Sequence, residues 1–223
     1  MTMIDCKREF KAELDNIWAQ AKDIHYKGRS LQVKERGYAI EAKLEENALV
    51  FLGMNPSFRE GSKLPPKGKE YDFYPLPQNE NDKYFGKAYI ISQDRNARFC
   101  HHDLMFIRET SQEAVINSYK EHPDFFDGQL SLSKKIIEQA KPKMIVIINA
   151  KACELFREMF NFKPFENWDE KLGVDIFNIA GRDIPVVFSG MLTGAHPLDN
   201  GTYTSLRWHI GYICDNWPGK ITF

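Results

Sequence analysis

KMIVIINA, residues 143–150, contains five consecutive aliphatic residues with no polar position among them. A strand that is apolar on both faces is typical of the middle of a parallel sheet that helices cover on both sides. Pro142 ends the helical pattern that precedes this run, and a second helical pattern, CELFREMF, follows it at residues 153–160. The order helix, strand, helix predicts an α/β fold with a parallel sheet.

The same alternation extends over most of the chain. Apolar residues at three- and four-residue spacing predict an N-terminal covering helix at about residues 5–24 and a closing helix over 203–217. Strands are expected at ALVFLG (48–53), DLMFIRE (103–109), VDIFNI (174–179) and IPVVFSG (184–190), and a helix at 127–142. The helix propensity of residues 38–47 leaves the start of the first strand open. We therefore expect one domain over residues 1–223, a three-layer α/β/α sandwich around a mostly parallel sheet.

Charge and cysteine usage limit the classes of function. Thirty basic and thirty-one acidic residues give a formal net charge of -1, so a contact with DNA is expected to be local and salt-sensitive. A proline-rich loop over about residues 57–82 contains Lys63, Lys67 and Lys69. These lysines either bind phosphates or are simply solvated. The four cysteines form no C-x-x-C pair, and no segment reaches the ~20 apolar residues of a membrane helix. A soluble, cytoplasmic, monomeric protein without a cofactor is the expectation.

Two strand-to-loop junctions carry the residues of greatest chemical interest, because ligands of open α/β sheets bind beyond the carboxyl ends of the strands. At the first junction, Gly53 allows a sharp turn, Pro56 sets the exit, and Asn55 presents an amide that donates and accepts hydrogen bonds. The second junction is GAHPLDN, residues 194–200, in which His196 precedes a proline. Each motif by itself is typical of an ordinary turn. Together, at the ends of two strands, they predict one site.

The two motifs resemble those of the uracil-DNA glycosylase superfamily. GMNPS (53–57) is similar to its first active-site motif, in the Gly-Met-Asn-Pro-Gly form of the single-strand-selective branch and the Gly-Ile-Asn-Pro-Gly form of the mismatch-specific branch. HPLDN (196–200) occupies the place of its second motif, His-Pro-Ser, and AKPKMIVIINAKACELF (140–156) resembles a structural signature between them. The resemblance covers about residues 47–217 and implies a uracil-DNA glycosylase-like fold.

The resemblance also implies a hydrolase that removes a uracil-like or otherwise damaged base from DNA, a base-excision step of DNA repair. Asn55 would position the attacking water, and His196 would donate to the departing base as it gathers negative charge. The neighbouring positions expected to bind substrate are Gly53, Met54, Pro56, Ser57, Pro197 and Leu198. Since an amide does not titrate near neutral pH, Asn55 is not a strong general base and a modest rate is expected.

Two residues depart from the superfamily pattern. Ser57 stands where a glycine is usual, and Leu198 stands where a serine would contact phosphate. Leu198 acts either as an apolar wedge in the base stack or as a cap on the core. These departures leave a second function open, in which the protein keeps the fold and only binds nucleic acid or a nucleobase. A third alternative is a hydrolase of small N-ribosyl compounds.

The positions that would hold the base are less sharply marked. The candidates for an aromatic platform are Phe73, Tyr74, Tyr84, Phe85 and Tyr89, of which Tyr84 and Phe85 are preferred, with core packing as the alternative. Arg108, Glu109 or Thr110 takes the place of the residue that reads the base edge. An Arg or Glu there favours a base edge different from that of uracil, or forms an internal ion pair.

No metal site is expected from the sequence. His101 and His102 are adjacent, and adjacent side chains of an extended segment point to opposite sides. The iron–sulfur branches of the superfamily need clustered cysteines, which this chain lacks. The feature that separates the functional alternatives is whether Asn55 and His196 converge on one pocket with an aromatic wall.

Overall fold

The structure is a computed structural model that describes residues 2–26, 32–58, 71–163, 166–194 and 196–223. Within these ranges it contains ten strands and seven α-helices. The strands are β1 Met3–Asp5, β2 Tyr38–Glu41, β3 Lys43–Glu45, β4 Leu49–Gly53, β5 Tyr71–Tyr74, β6 Cys100–Asp103, β7 Met144–Ile147, β8 Trp168–Asp169, β9 Val174–Ile179 and β10 Arg182–Phe188. The helices are α1 Cys6–Ala19, α2 Val33–Arg36, α3 Gly86–Asp94, α4 Gln112–Glu121, α5 Pro123–Ala140, α6 Ala150–Met159 and α7 Asn200–Asn216.

Six strands form the central sheet in the order β6-β4-β7-β10-β9-β8. β6, β4, β7 and β10 are parallel, whereas β9 and β8 extend the sheet in antiparallel orientation. Every residue of β4 and β7 is buried, as their apolar runs predict. The antiparallel extension arises from a tight turn between β9 and β10, in which Ala180 and Gly181 both have positive φ (51° and 78°). The protein therefore has a mixed α/β fold with a mostly parallel sheet.

Helices cover both faces of this sheet. Successive residues of a strand point to opposite faces, and in β4 Val50 and Leu52 belong to one core cluster while Leu49 and Phe51 belong to another. The first cluster contains apolar residues of α1, α5 and α6, and the second contains those of α3 and α7. Because both faces are buried, the middle strands need apolar side chains at every position.

The expected helices are present, and side-chain caps mark the starts of α1, α6 and α7. Asp5 accepts a hydrogen bond from Arg8 N at 3.0 Å at the start of α1, which is the expected covering helix and continues past Ala19 as one 3-10 turn. The cysteines are buried as free thiols, one each in α1, β6, α6 and α7. Among the described helices, none combines the length and the apolar character that crossing a lipid bilayer requires.

Two expectations from the sequence are wrong. The strand expected at 103–109 lies earlier, at β6, because the chain leaves the sheet at Leu104 and its following apolar residues pack into the core as an irregular segment. The expected loop over 57–82 contains β5, which pairs in parallel with β2. Residues 59–70 of that loop, which include Lys63, Lys67 and Lys69, lie outside the described residues. The start of the first expected strand, which the sequence left open, lies at Leu49, and residues 38–47 form β2 and β3.

The four parallel strands point their carboxyl ends to one edge of the sheet. The segments that leave this edge include residues 54–58 after β4, 104–111 after β6 and the loop that follows β10. Since β7 lies between β4 and β10, the ends of β4 and β10 are about 10 Å apart.

Candidate functional site

A cavity of about 300 Å³ opens at the carboxyl ends of β4 and β6. We call it the strand-end cavity, and its lining combines the first sequence motif with aromatic and ionisable side chains: Ala39, Pro56, Ser57, Tyr74, Asp82, Tyr84, Phe85, Asp103 and Arg108. This volume lies at the lower end of the range for small-ligand pockets. Pro56, Ser57, Tyr84, Phe85 and Arg108, five residues that the sequence assigns to substrate binding, therefore line one space.

Gly53 makes this space possible. It is the last residue of β4 and pairs with Asp103, the last residue of β6. An ideal Cβ atom at position 53 would lie 2.2 Å from Asp103 Oδ1 and 3.0 Å from His101 Nε2. The first distance is far below van der Waals contact, so only glycine fits while Asp103 keeps its orientation. The glycine of the first motif thus leaves room for a carboxyl group beside the motif.

Asn55 is fixed by the segment that follows β6. Its Nδ2 lies 3.0 Å from Pro56 O, 3.2 Å from Ile107 O and 2.7 Å from Glu109 O, and the residue is only 9% exposed. These carbonyl oxygens occupy the amide's two N–H donors, so Oδ1 is the polar atom that remains to accept a hydrogen bond. Met54 is buried beneath the turn, where it joins the core.

Tyr84 and Phe85 form the aromatic wall of the strand-end cavity. Asp82 Oδ1 accepts hydrogen bonds from the backbone N–H groups of both residues, at 2.8 and 2.7 Å. Their rings meet edge-to-face at 4.7 Å, and the Phe85 ring lies 4.8 Å from that of His101. Tyr74 also lines the cavity, and burial, reinforced by the neighbouring acidic groups of Asp103 and Glu41, raises its pKa well above the usual value. The phenol of Tyr74 is therefore a hydrogen-bond donor.

Asp103 is the most unusual polar group of the cavity. It is 4% exposed, and its Oδ1 has no hydrogen-bond partner among the described residues. Burial, together with the charge of Glu41, raises the pKa of its carboxyl group well above the usual value. The un-ionised acid is thus favoured, and it offers one donor and one acceptor to a ligand.

His101 lies next to Asp103 but makes no hydrogen bond with it. The distance from His101 Nε2 to Asp103 Oδ1 is 3.8 Å, and neither ring nitrogen has a partner within the described ranges. Burial, with a smaller effect from the positive charge of His102, lowers the pKa of His101 from 6.5 to about 3. Since this ring is neutral and Asp103 favours the acid form, the two do not form an ion pair.

The depressed pKa of His101 predicts a pH-dependent stability. His101 takes up a proton near pH 6.5 in the unfolded chain and near pH 3 in the folded chain. Protonation below pH 6.5 therefore favours the unfolded state, and the free energy of unfolding falls as the pH is lowered. The loss amounts to about 1.4 kcal/mol per pH unit. Compared with His101→Leu, the wild type should therefore lose stability at this rate in urea unfolding between pH 6.5 and 4. His25→Leu, at an exposed site, should leave the slope of the free energy of unfolding against pH unchanged. If the wild type and His101→Leu gave parallel plots of this free energy against pH, the prediction would be wrong.

His102 points to the opposite face of β6, as expected for adjacent residues of a strand. Its Nδ1 lies 2.7 Å from Glu41 Oε1 and its Nε2 lies 2.9 Å from Ser133 Oγ. This Ser-His-Glu order resembles a catalytic triad, but all three residues are at most 1% exposed. A nucleophile needs access to its substrate, so we interpret the network as a structural connection between β2, β6 and α5.

The three candidates for reading the base edge have different environments. Arg108 lines the strand-end cavity, and its guanidinium donates to Arg36 O at 3.0 Å. Glu109 forms a buried ion pair with Arg36 at 2.5 Å, which is the internal pairing left open by the sequence. Thr110 is exposed and donates to Phe58 O at 2.6 Å. Of the three, only Arg108 reaches the cavity.

The second sequence motif lies outside the strand-end cavity. His196 and Pro197 are exposed, and neither lines this cavity. A link between the two regions exists through Thr193, whose hydroxyl donates to Tyr84 O at 2.9 Å. Asn55 does not line the strand-end cavity either, so Asn55 and His196 do not converge on one pocket.

Leu198 faces a different space. It lines a cleft of about 1000 Å³ between the end of β10 and α7, and it packs against the second core cluster. A Cβ atom on Gly190 would lie 3.0 Å from Leu198 Cδ2, so the leucine is folded back against its own loop. This position agrees with a cap on the core and not with a wedge held outwards.

Asp103, Asp82 and Ala39 are cavity residues that sequence reasoning missed, whereas Tyr74 was a candidate for the aromatic platform. The sequence interpretation assigned Asp103 to the start of a strand, whereas it is the end of one, so its position beside Gly53 was not foreseen. A polar residue closing the run CHHD was the available signal. Over the part of the chain that the structure describes, no three His, Cys, Asp or Glu side chains lie close enough to hold a metal ion.

None of the protein-family models matches this chain, and no curated protein shows significant similarity to it. Conclusions about function therefore rest on the chemistry of the site.

Proposed function

We propose that the protein is a DNA glycosylase-like hydrolase with a uracil-DNA glycosylase-like fold, which cleaves the N-glycosidic bond of a uracil-like or damaged base. The observation that carries the proposal is the strand-end cavity. It brings Pro56 and Ser57 of the GMNPS turn, an aromatic wall and a buried carboxyl group with an unpartnered oxygen atom to the carboxyl ends of two parallel strands. A site of this kind fits a flipped-out base, because the base needs a planar apolar surface and a polar group for its edge.

Asp103 suits the edge of an oxidised or deaminated base. As an un-ionised acid it pairs with a base edge that has one acceptor beside one donor. Uracil has such an edge in O4 and N3–H, and hypoxanthine and xanthine have one in O6 and N1–H. Tyr84 and Phe85 would contact the face of the same base, since both rings line the cavity with Asp103. We assign reading of the base to Asp103, with Arg108 beside it.

The reaction needs one water and no cofactor. The water oxygen forms a bond to the sugar carbon, the bond from that carbon to the base nitrogen breaks with its electrons on the base, and the water's proton ends on the base. Asn55 is suited to position this water, because its Nδ2 donates to three carbonyl oxygens and Oδ1 is left to accept a hydrogen bond from the water. A donor placed at the departing base lowers the barrier by about 3 kcal/mol.

His196 is the donor that the proposal assigns to the departing base. It is exposed in this conformation, so DNA binding has to bring its loop inwards. The hydrogen bond from Thr193 to Tyr84 already connects this loop to the aromatic wall. The exposed position of His196 also favours the second candidate function, a protein of the same fold that binds nucleic acid or a nucleobase without cleaving it.

The experiment that tests the proposal uses labelled oligonucleotides with single uracil, hypoxanthine, xanthine or mismatched thymine, in single- and double-stranded form. Alkali-labile sites at uracil, hypoxanthine or xanthine are the expected result. His196→Ala should lower the cleavage rate on the order of 100-fold without loss of stability, because this donor is exposed. His25→Ala, which changes an exposed histidine outside both cavities, should cleave at the wild-type rate.

Variants of Asp103 test how the base is read. Asp103→Asn keeps one donor and one acceptor and should retain most of the activity, whereas Asp103→Leu removes both and should lose it. If no substrate is cleaved, the binding function replaces the hydrolase. Binding to DNA is expected to weaken as salt rises, and filter-binding affinities that ignore salt would count against DNA as the partner.

A further inference from the structure

The cleft between β10 and α7 has features of a binding site that the proposed reaction does not use. Its volume of about 1000 Å³ is more than three times that of the strand-end cavity. Two indole rings on its lining are open to solvent, with Trp208 68% exposed and Trp168 40% exposed. Large apolar rings are costly to leave in water, so two of them on one cleft indicate a surface for a planar or apolar ligand.

Arg157 gives the cleft a positive charge. Its guanidinium lies 4.0 Å above the ring of Phe188, which also lines the cleft. Its Nε is buried and has no hydrogen-bond partner among the described residues, and no carboxylate in the described ranges lies within 4.0 Å of it. A guanidinium stacked on an aromatic ring is suited to a phosphate or to a base carbonyl through its terminal N–H groups.

The position of the cleft relates it to the strand-end cavity. Leu198 of the HPLDN motif forms part of its wall, and Thr193 of the same loop donates a hydrogen bond to Tyr84 of the strand-end cavity. β10 is two strands away from β4, which corresponds to about 10 Å. A strand of DNA whose target nucleotide enters the strand-end cavity would therefore place nucleotides only a few positions away at the cleft.

We propose that this cleft binds the unpaired nucleotides that flank the target base of a single DNA strand, with a base stacked against Trp208 and the backbone near Arg157. The inference rests on the proposed function for its choice of ligand. Trp208 is supported from behind by Tyr212, whose ring is stacked with it at 5.2 Å and 14°. Asp175, a buried carboxylate of the cleft, disfavours a phosphate beside it and favours amino groups of bases.

The test is a fluorescence titration of the full-length protein with a lesion-free thymidine 12-mer at low salt, followed by the tryptophan emission. The strand should quench the emission, and the matching duplex should bind more weakly. Trp208→Ala should weaken binding of the strand about tenfold, as expected for loss of one stacked base. Arg157→Gln should also weaken it and should lower the slope of log affinity against log salt by about one.

Trp217→Phe provides the matched control, because Trp217 is a partly buried indole that does not line the cleft. Its affinity for the strand should equal that of the wild type. Unchanged affinity in both Trp208→Ala and Arg157→Gln, equal loss in the control, or duplex binding as tight as strand binding would overturn the inference. The strand contains no damaged base, so this outcome is independent of cleavage. If Trp208→Ala still cleaves its substrate and binds the strand with normal affinity, the proposed hydrolase function is kept and the proposed role of the cleft is wrong.

Discussion

Asn55→Asp is expected to lower both the stability and the activity of the protein, because an aspartate cannot donate to the three carbonyl oxygens that hold Asn55. In the folded protein these are the carbonyls of Pro56, Ile107 and Glu109. The carboxylate that replaces the Asn55 amide would face these three hydrogen-bond acceptors in a buried position. Each unsatisfied buried acceptor costs about 1–3 kcal/mol, and the repulsion adds to this. We expect the free energy of unfolding to fall by about 4 kcal/mol and any cleavage to become undetectable.

Two comparisons make this prediction specific. Asn55→Ala removes the donors without introducing a charge, so its stability should lie between those of wild type and Asn55→Asp. Asn117→Asp makes the same chemical change at an exposed position of α4, where it should alter stability by less than about 0.5 kcal/mol. Urea unfolding at pH 7 measures all three. If Asn55→Asp were as stable as wild type, the amide orientation described above would be wrong.

Gly53→Ala is expected to destabilise the protein by about 2–3 kcal/mol, because its Cβ would overlap Asp103 Oδ1. The clash is severe, at 2.2 Å, and Asp103 is too buried to rotate freely into solvent. Gly128→Ala is the matched control in α5. There the nearest heavy atom, Ile17 Cγ1, is 3.5 Å away, so alanine should be tolerated and should stabilise the helix by up to about 1 kcal/mol.

A double variant isolates the contact between the two strand ends. If the cost of Gly53→Ala arises at Asp103, it should fall below about 1 kcal/mol in an Asp103→Ala background. Chemical denaturation of the two single variants and the double variant gives the coupling energy directly. Additive effects would show that the strain at position 53 lies elsewhere, with His101 as the next nearest group.

The middle of the sheet could be predicted from sequence because its strands are buried on both faces. β4 and β7 are apolar at nearly every position and buried at all of them. The covering helix was equally clear from its buried stripe, which includes Phe10, Leu14 and Trp18. In such elements local pattern and tertiary burial agree, so the sequence is sufficient.

The segment after β6 shows why other parts could not be predicted. Leu104, Met105, Phe106 and Ile107 are fully buried, as strand residues would be, yet they lie in an irregular segment. Their burial comes from packing under α5, where Gln129 accepts a hydrogen bond from Phe106 N at 2.9 Å. An apolar run reports burial and not backbone geometry, so the strand was expected several residues too late.

The candidate site was foreseen only in part for the same reason. The turn after β4 was recognisable from its own residues, since Gly, Asn and Pro each have a local conformational role. Asp103 acquires its role from the register between β4 and β6, which pairs it with Gly53. Register is a tertiary property, and no local pattern in CHHD defines it.

The four free cysteines are buried, so the reaction of each thiol with an alkylating reagent reports local unfolding around it. They lie in four different elements, Cys6 in α1, Cys100 in β6, Cys153 in α6 and Cys214 in α7, and burial raises the pKa of each thiol. A protonated thiol inside the core does not react with alkylating reagents, so modification has to wait until its segment opens. Pulsed alkylation read by mass spectrometry would thus give a separate opening free energy for the sheet and for the helices on each of its faces.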